Sequence, residues 1–316
     1  MFRLKIGILD DYQGVALSLA DWGSLDADVE VFTAPFVDAD DVVKQLADFD
    51  VVVAMRERTR FPAEVLSRLR SLKLLVSTGP VNSAIDVAAA RELGVVVSGT
   101  GYFSYPTAEL TWALILAAAR KLPQQAQSMR TGGWQLGLGT SVKGLTLGVL
   151  GLGNIGEQVA TIAHAFGMRV IAWSENLTAA RAAEHEVTAV SREQLFAEAD
   201  VLSIHMVLSQ RSRGMVGASE LAMMKPTSIL VNTSRGPIVD EGALVDALRR
   251  HVISCAAIDV YDTEPLPADH PLRSLDNALL TPHIGYVSQQ LYLVFYRDAV
   301  EDIAAFIAGS PVRVIR

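Results

Sequence analysis

"VLGLGNIG", Val149 to Gly156, runs from an apolar strand end into three glycines spaced G-x-G-x-x-G. Glycine-rich turns are common, so the flanks must decide whether this one holds a dinucleotide or merely bends the chain. Before it, "LTLGVLGLG" from Leu145 reads as a strand. After it, "GEQVATIAHAFG" puts Val159, Ile162, Ala163 and Phe166 at helical spacing, and "MRVIAWS" (Met168 to Ser174) supplies a second strand. In that setting Gly151 makes the tight turn, Gly153 lets the backbone approach a pyrophosphate, and Gly156 lets the helix pack closely on the strand. The helix N-terminus then faces the phosphate charge. The dinucleotide reading is the better one.

In such units an acidic residue closing the next strand grips the adenosine ribose. That place holds Ser174, with Glu175 and Asn176 after it, and the nearest following arginine is Arg181. Serine neither binds the ribose hydroxyls as a carboxylate does nor repels a 2′-phosphate. The cofactor is therefore read as NAD or NADP, with the charge of Glu175 favouring NAD.

Working outward, strand-like apolar runs alternate with helical stretches in two series. The first holds "LKIGILD" (Leu4 to Asp10), "VEVF" (Val29 to Phe32), "DVVVAM" (Asp50 to Met55), "LKLLVST" (Leu72 to Thr78) and "GVVVSG" (Gly94 to Gly99). The second starts at Leu145 and continues through "EVTAV", "ADVLSIHM", "TSILVNTS", "ISCAAIDV" and "NALLTPH". Runs apolar on both faces are those of parallel strands covered by helices. The fold expected is α/β: two doubly wound parallel-sheet domains with a cleft between them. "PAEVLSRLRS" from Pro62, "TAELTWALILAAARKL" and Ser288 to Gly309 read as helices. The last is expected to cross back onto the first series. The domains are then 1–100 with 288–316, and 101–287.

With 316 residues, half of them hydrophobic, the chain can bury two cores. The longest apolar run, Leu110 to Ala119, is too short for a bilayer, and the N-terminus lacks a signal-peptide pattern. A net charge of −8 argues against nucleic acid as partner. One cysteine, Cys255, fits a reducing cytoplasm and reads as a small buried filler. No metal site is read.

Three polar residues follow strand ends in the second series: Arg235 in "LVNTSRGPIVD", Glu264 in "AIDVYDTEPLP" and His283 in "LLTPHIGY". Ligands of doubly wound sheets sit beyond the carboxyl ends of strands. Histidine suits proton exchange with a hydroxyl, a neighbouring carboxylate fixes its tautomer, and arginine offers a fork of donors to a carboxylate. Singly each has an ordinary alternative, a satisfied core histidine or a structural ion pair. The combination is what points to a site.

These segments resemble the D-isomer-specific 2-hydroxyacid dehydrogenase family. The resemblance rests on "LVSTGPVNSAIDVAAARELGVVV" with "TAEL", "LGVLGLGNIG", "DVLSIHM", "ILVNTSRGPIVDEGALVDAL", "AIDVYDTEPLP" and "LLTPHIGY". It implies a Rossmann-type cofactor domain and a flavodoxin-like substrate domain. It implies that Arg235 binds the substrate carboxylate and polarises the keto oxygen, that His283 is the acid/base, and that Glu264 is its partner. Asn154 and Ile155 would lie on the pyrophosphate, Ser174 at the ribose, Asp259 near the nicotinamide carboxamide, and Thr78, Met206 and Thr233 along the cofactor. The backbone of Ser77, Thr78 and Gly79 would meet the substrate carboxylate, and the molecule would be a homodimer built through the cofactor domain.

Two places depart from the pattern. Ser174 replaces the usual acidic residue. Tyr102, Phe103 and Tyr105 are bulkier than the small polar residues expected there, and either shape a pocket or cover a hinge. Arg56 and Arg58 in "MRERT" could reach an anionic substrate, but a solvated loop is preferred. The function expected is hydride transfer between NAD(P) and a 2-keto/D-2-hydroxy acid pair. Formate or phosphite oxidation is a rival, against which Glu264 counts because formate enzymes of this architecture are expected to carry glutamine there. A non-catalytic dinucleotide-sensing corepressor or scaffold is the other.

Overall fold

The computed structural model describes residues 3–316, and the chain forms two compact units. One comprises the residues up to Phe103 together with Val287–Arg316; the other is Ser104–Tyr286.

The first unit holds a parallel five-stranded sheet of β1 (Leu4–Ile8), β2 (Ala27–Val31), β3 (Val51–Ala54), β4 (Leu74–Ser77) and β5 (Val96–Gly99), ordered β2-β1-β3-β4-β5. That is the flavodoxin-like order, which reverses between β1 and β3. The two central strands β3 and β4 are buried throughout, whereas the edge strand β2 alternates. This is why the runs at 51 and 74 are apolar without interruption. The helix Gln289–Ile307, capped by Ser288, returns from the second unit and buries Leu291, Phe295, Tyr296 and Ile303 against this sheet. The chain end then runs antiparallel to β5, with Gly99 N–H donating to Arg313 O at 3.0 Å and Ile315 N–H to Val97 O at 2.8 Å. The boundary lies slightly beyond the expected residue 100, because Gly101 N–H donates to Asp298 of the returning helix at 2.8 Å. The helix expected from Pro62 is a single turn, Ala63–Leu66.

The second unit holds a parallel seven-stranded sheet: β6 (Thr146–Leu150), β7 (Arg169–Trp173), β8 (Thr188–Ala189), β9 (Val201–Ile204), β10 (Ile229–Asn232), β11 (Cys255–Ile258) and β12 (Ala278–Leu280). Its order is β12-β11-β10-β9-β6-β7-β8, the Rossmann arrangement, reversing between β6 and β9 at the glycine turn. The apolar helix Tyr105–Ala119 is buried along much of its length. Its Trp112 donates to Val159 O at 3.1 Å and stacks on Phe166 at 4.7 Å, so the helix is clamped onto the helix that follows the glycines. A second helix, Leu122–Arg130, leads into an irregular glycine-rich stretch, residues 132–144. No described helix is long and apolar enough to cross a membrane.

Candidate active site

The three glycines of the turn have different reasons to be glycine. Gly151 has φ +101°, and a Cβ on it would stand 2.7 Å from His205 O and 3.0 Å from Met206 Sδ. A Cβ on Gly156 would stand 2.2 Å from Gly151 O. Both are dictated by the chain's own packing. Gly153 is not: its backbone is extended and a Cβ there would meet nothing within 4 Å. A bare backbone facing open space, at the N-terminus of the helix Asn154–Ala165, is what the close approach of an anionic ligand requires. Among the described residues no side chain caps that helix, so its first N–H groups are left to such a ligand. The residues present thus fit a dinucleotide.

Around the turn, Ser174 Oγ accepts Leu152 N–H at 3.2 Å, tying the end of β7 to the glycines, and Glu175 beside it is exposed. Met206 lies against Gly151, and its carbonyl accepts Ser234 Oγ–H. Thr233 is buried and shares a hydrogen bond of 2.8 Å with Thr111.

Arg235, Glu264 and His283 come from the ends of the neighbouring strands β10, β11 and β12. Asn232 closes β10 and folds the chain back on itself: its Nδ2 donates to Arg235 O at 3.0 Å and its Oδ1 accepts Ser234 N–H at 3.0 Å. Arg235 then leads the short turn Gly236–Ile238, half-buried, with Nη1 on Ser234 O at 2.8 Å. A Cβ on Gly236 would stand 2.1 Å from the carbonyl carbon of Tyr261, so the arginine loop rests directly on the loop that carries Glu264. There Tyr261 N–H donates to Glu264 Oε1 at 2.9 Å, while the Tyr261 hydroxyl sits near Ile258 O (3.0 Å) and Thr281 O (2.9 Å), reaching the third loop.

Glu264 Oε2 lies 2.5 Å from His283 Nδ1. Among the described residues no group of the chain hydrogen-bonds to His283 Nε2, and the side chain keeps 21% of its surface. His283 has φ +53°, an unfavoured backbone for a residue with a side chain. Asp259 holds it there. Its buried carboxylate accepts Thr281 Oγ1–H at 2.6 Å, Ile284 N–H at 2.9 Å and Gly285 N–H at 2.9 Å, on both sides of the histidine. Burial pushes the Asp259 pKa up in spite of these donors and the neighbouring imidazole. This anchoring role was not legible in the sequence, nor were those of Asn232 and Tyr261. His205, after β9, offers a contrast: its ring is 2.8 Å from Ser203 Oγ and burial pushes its pKa down to about 3, so it stays neutral.

In the first unit, Thr78 and Gly79 follow β4. Thr78 N–H donates to Ala54 O at 3.0 Å, and Gly79 N–H to Thr100 Oγ1 at 2.7 Å. Arg56 corrects the expectation of a solvated loop. Its side chain is only 14% exposed, lies 5.1 Å from the Tyr102 ring and donates to Thr78 O at 3.1 Å. It packs so because Gly79 has no side chain: a Cβ there would be 1.9 Å from Arg56 Nη1. Arg58 lies over Tyr12 at 4.5 Å. Among the described residues no three His, Cys, Asp or Glu side chains gather to hold a metal ion.

Comparison with known proteins points the same way. Residues 112–285 match the profile of the "D-isomer specific 2-hydroxyacid dehydrogenase, NAD binding domain". The chain is 42% identical over 263 residues to a glyoxylate reductase of Aeropyrum pernix, covering 79% of this chain and 78% of that protein. It is 36% identical over 289 residues to a D-3-phosphoglycerate dehydrogenase of Archaeoglobus fulgidus, covering 90% of this chain but only 54% of that longer protein. The crystal structure of a phosphoglycerate oxidoreductase from Vibrio cholerae superposes with a TM-score of 0.91 at 38% identity, covering 97% of this chain and all of that one. With the profile spanning more than half its length and relatives at these identities, the chain belongs to the D-isomer-specific 2-hydroxyacid dehydrogenase family.

Proposed function

We propose that the protein reduces a small 2-keto acid to the D-2-hydroxy acid, and catalyses the reverse, with glyoxylate the first compound to try given the 42% identical reductase. The observation that carries this reading is the His283–Glu264 pair, in which Nδ1 is held at 2.5 Å and Nε2 is left to a substrate. A bound nicotinamide dinucleotide supplies or accepts the hydride. His283 Nε2–H gives its proton to the carbonyl oxygen in reduction and recovers it from the hydroxyl in oxidation. Glu264 fixes the tautomer and stabilises the imidazolium. Arg235 binds the substrate carboxylate with its fork of donors and polarises the keto group. Asp259 positions the histidine loop.

The same reading assigns Gly151, Gly153, Asn154, Ile155 and Gly156 to the pyrophosphate, Ser174 to the ribose, and Met206, Thr233, Asp259 and Thr78 to the rest of the cofactor. Ser77, Thr78 and Gly79 are assigned to the substrate carboxylate. Since the Thr78 and Gly79 amides already donate to Ala54 and Thr100, that assignment requires them to exchange partners. NAD is favoured over NADP. A homodimer through the second unit is supported by Trp134 and Leu138, 71% and 89% exposed and four residues apart. Sedimentation would test it. A reducing cytoplasm suits the single cysteine.

Turnover with a panel of 2-keto acids, each with NADH and NADPH, tests the function. Reduction of at least one of them supports it; dinucleotide binding without turnover on any would favour the sensing scaffold instead.

A further inference from the structure

Among the charged clusters that the mechanism leaves unused, one adjoins the glycine turn. Arg181 lies in the short helix Ala179–Ala183 that follows β7 and Ser174. Its guanidinium reaches back to the first turn of the helix Asn154–Ala165: Nη2 lies 2.5 Å from Glu157 Oε1, and Nη1 lies 2.6 Å from Glu184 Oε2. Glu157 N–H in turn donates to Gly153 O at 2.8 Å, so this carboxylate is rooted in the phosphate-facing turn itself. The first arginine after β7 is thus held between two carboxylates. The cluster itself sets two carboxylates against one guanidinium, with His185 Nε2 3.5 Å from the same Glu157 oxygen, and Glu175, exposed next to Ser174, adds a further carboxylate at the end of β7.

We infer that the Glu157–Arg181–Glu184 clamp sets the choice of dinucleotide: it withholds from a 2′-phosphate the cation such a group needs and surrounds it with negative charge. The inference rests on the reading of the glycine turn as a dinucleotide site. A ribose hydroxyl, being uncharged, meets no such penalty, and Ser174 keeps its hydroxyl proton for it because Oγ is only accepting from Leu152. Arg181 is half-exposed, so its ion pairs are individually weak and its side chain is free to turn once they are removed.

The test is equilibrium binding of NADH and of NADPH to the full chain, read by tryptophan fluorescence or calorimetry. Wild type is expected to hold NADH more tightly than NADPH. In Glu157→Gln/Glu184→Gln the NADPH affinity is expected to rise about tenfold, the scale of one hydrogen bond to a charged group, with NADH affinity within about twofold of wild type. Adding Arg181→Ala is expected to abolish the gain. Glu184→Gln alone, at a side chain 60% exposed and so safe for folding, is expected to give about a third of it. Equal wild-type affinities, or NADPH affinity unmoved in both the single and double variants while NADH still binds, overturns the clamp alone. Failure of wild type to bind either dinucleotide overturns the cofactor reading and the clamp with it.

Discussion

Of the histidine–glutamate pairs in the second unit, the two closest, His270–Glu241 at 2.9 Å and His283–Glu264 at 2.5 Å, differ in what is left over. His270 places Nε2 2.9 Å from Glu241 and accepts Leu272 N–H on Nδ1 at 3.3 Å, so both ring nitrogens are engaged and the ring caps the short helix Pro271–Ser274. Among the described residues His283 has a hydrogen-bond partner for Nδ1, Glu264, and none for Nε2, and Asp259 holds its unfavoured backbone conformation. In the proposed mechanism the same two residue types therefore make a structural peg in one place and a proton-exchanging group in the other. What separates them is the second nitrogen and its position beyond a strand end, not the pair itself.

The sharpest break between the pairs is expected from His283→Ala. Dinucleotide binding stays near wild type while kcat falls about 10²–10⁴-fold, the usual share of an acid–base group. Asp259→Asn is next. It keeps the volume but turns an amide N–H toward the donors of Thr281, Ile284 and Gly285, so the histidine loop loosens and kcat is expected to fall about 10–10²-fold in the same assay. Glu264→Gln keeps a hydrogen-bond partner for Nδ1 but removes the charge, and about a tenfold loss is expected. His270→Ala closes the comparison from the other side. It costs about 1 kcal/mol as a lost cap, seen as a Tm lower by a few degrees, and leaves kcat per folded molecule unchanged. A large fall in kcat there would erase the distinction between the two pairs.

Asp302, paired with Arg313 in the first unit, has no part in this chemistry and shows burial outweighing a neighbouring cation. Asp302 is fully buried, accepts Arg313 Nε–H at 2.9 Å on one oxygen and leaves the other unmatched; burial pushes its pKa up to about 7 from an ordinary 3.8. An acid whose folded pKa is raised binds more protons in the native state, so stability falls as pH rises from about 4 to about 7 and levels off above. Denaturant titrations across that range are expected to show this slope in wild type and a flatter one in Asp302→Asn. Enzymatic kcat is expected to be indifferent to the change.

The strands were legible in the sequence because parallel strands covered on both faces are apolar at nearly every position. "VVVA" and "LLVS" are buried at all four places, and their shortness and β-branched residues mark them as strands. Arg235, Glu264 and His283 were legible as residues just past strand ends, since sheet order alone brings β10, β11 and β12 together. What the sequence hid depends on partners far along the chain. Arg56 is covered only because Tyr102 lies over it and Gly79 leaves room beneath. Ser174 looked like a missing carboxylate, and its bond to Leu152 shows that it also braces the glycine turn. Asp259 was expected at the nicotinamide, yet its three hydrogen bonds go to residues 22 to 26 positions further on, a distance that no local pattern spans.

The central claim is that His283 offers Nε2 to the substrate oxygen while Glu264 retains Nδ1. A crystal structure of the protein with NADH and oxamate, an unreactive isostere of a 2-keto acid, tests it most directly. The expected result is Nε2 about 2.6–3.2 Å from the oxamate oxygen that replaces the keto oxygen, with the Glu264 contact kept and the Arg235 guanidinium on the oxamate. An imidazole turned away from the bound oxamate, or one held to it through Nδ1 with Glu264 displaced, would contradict the account.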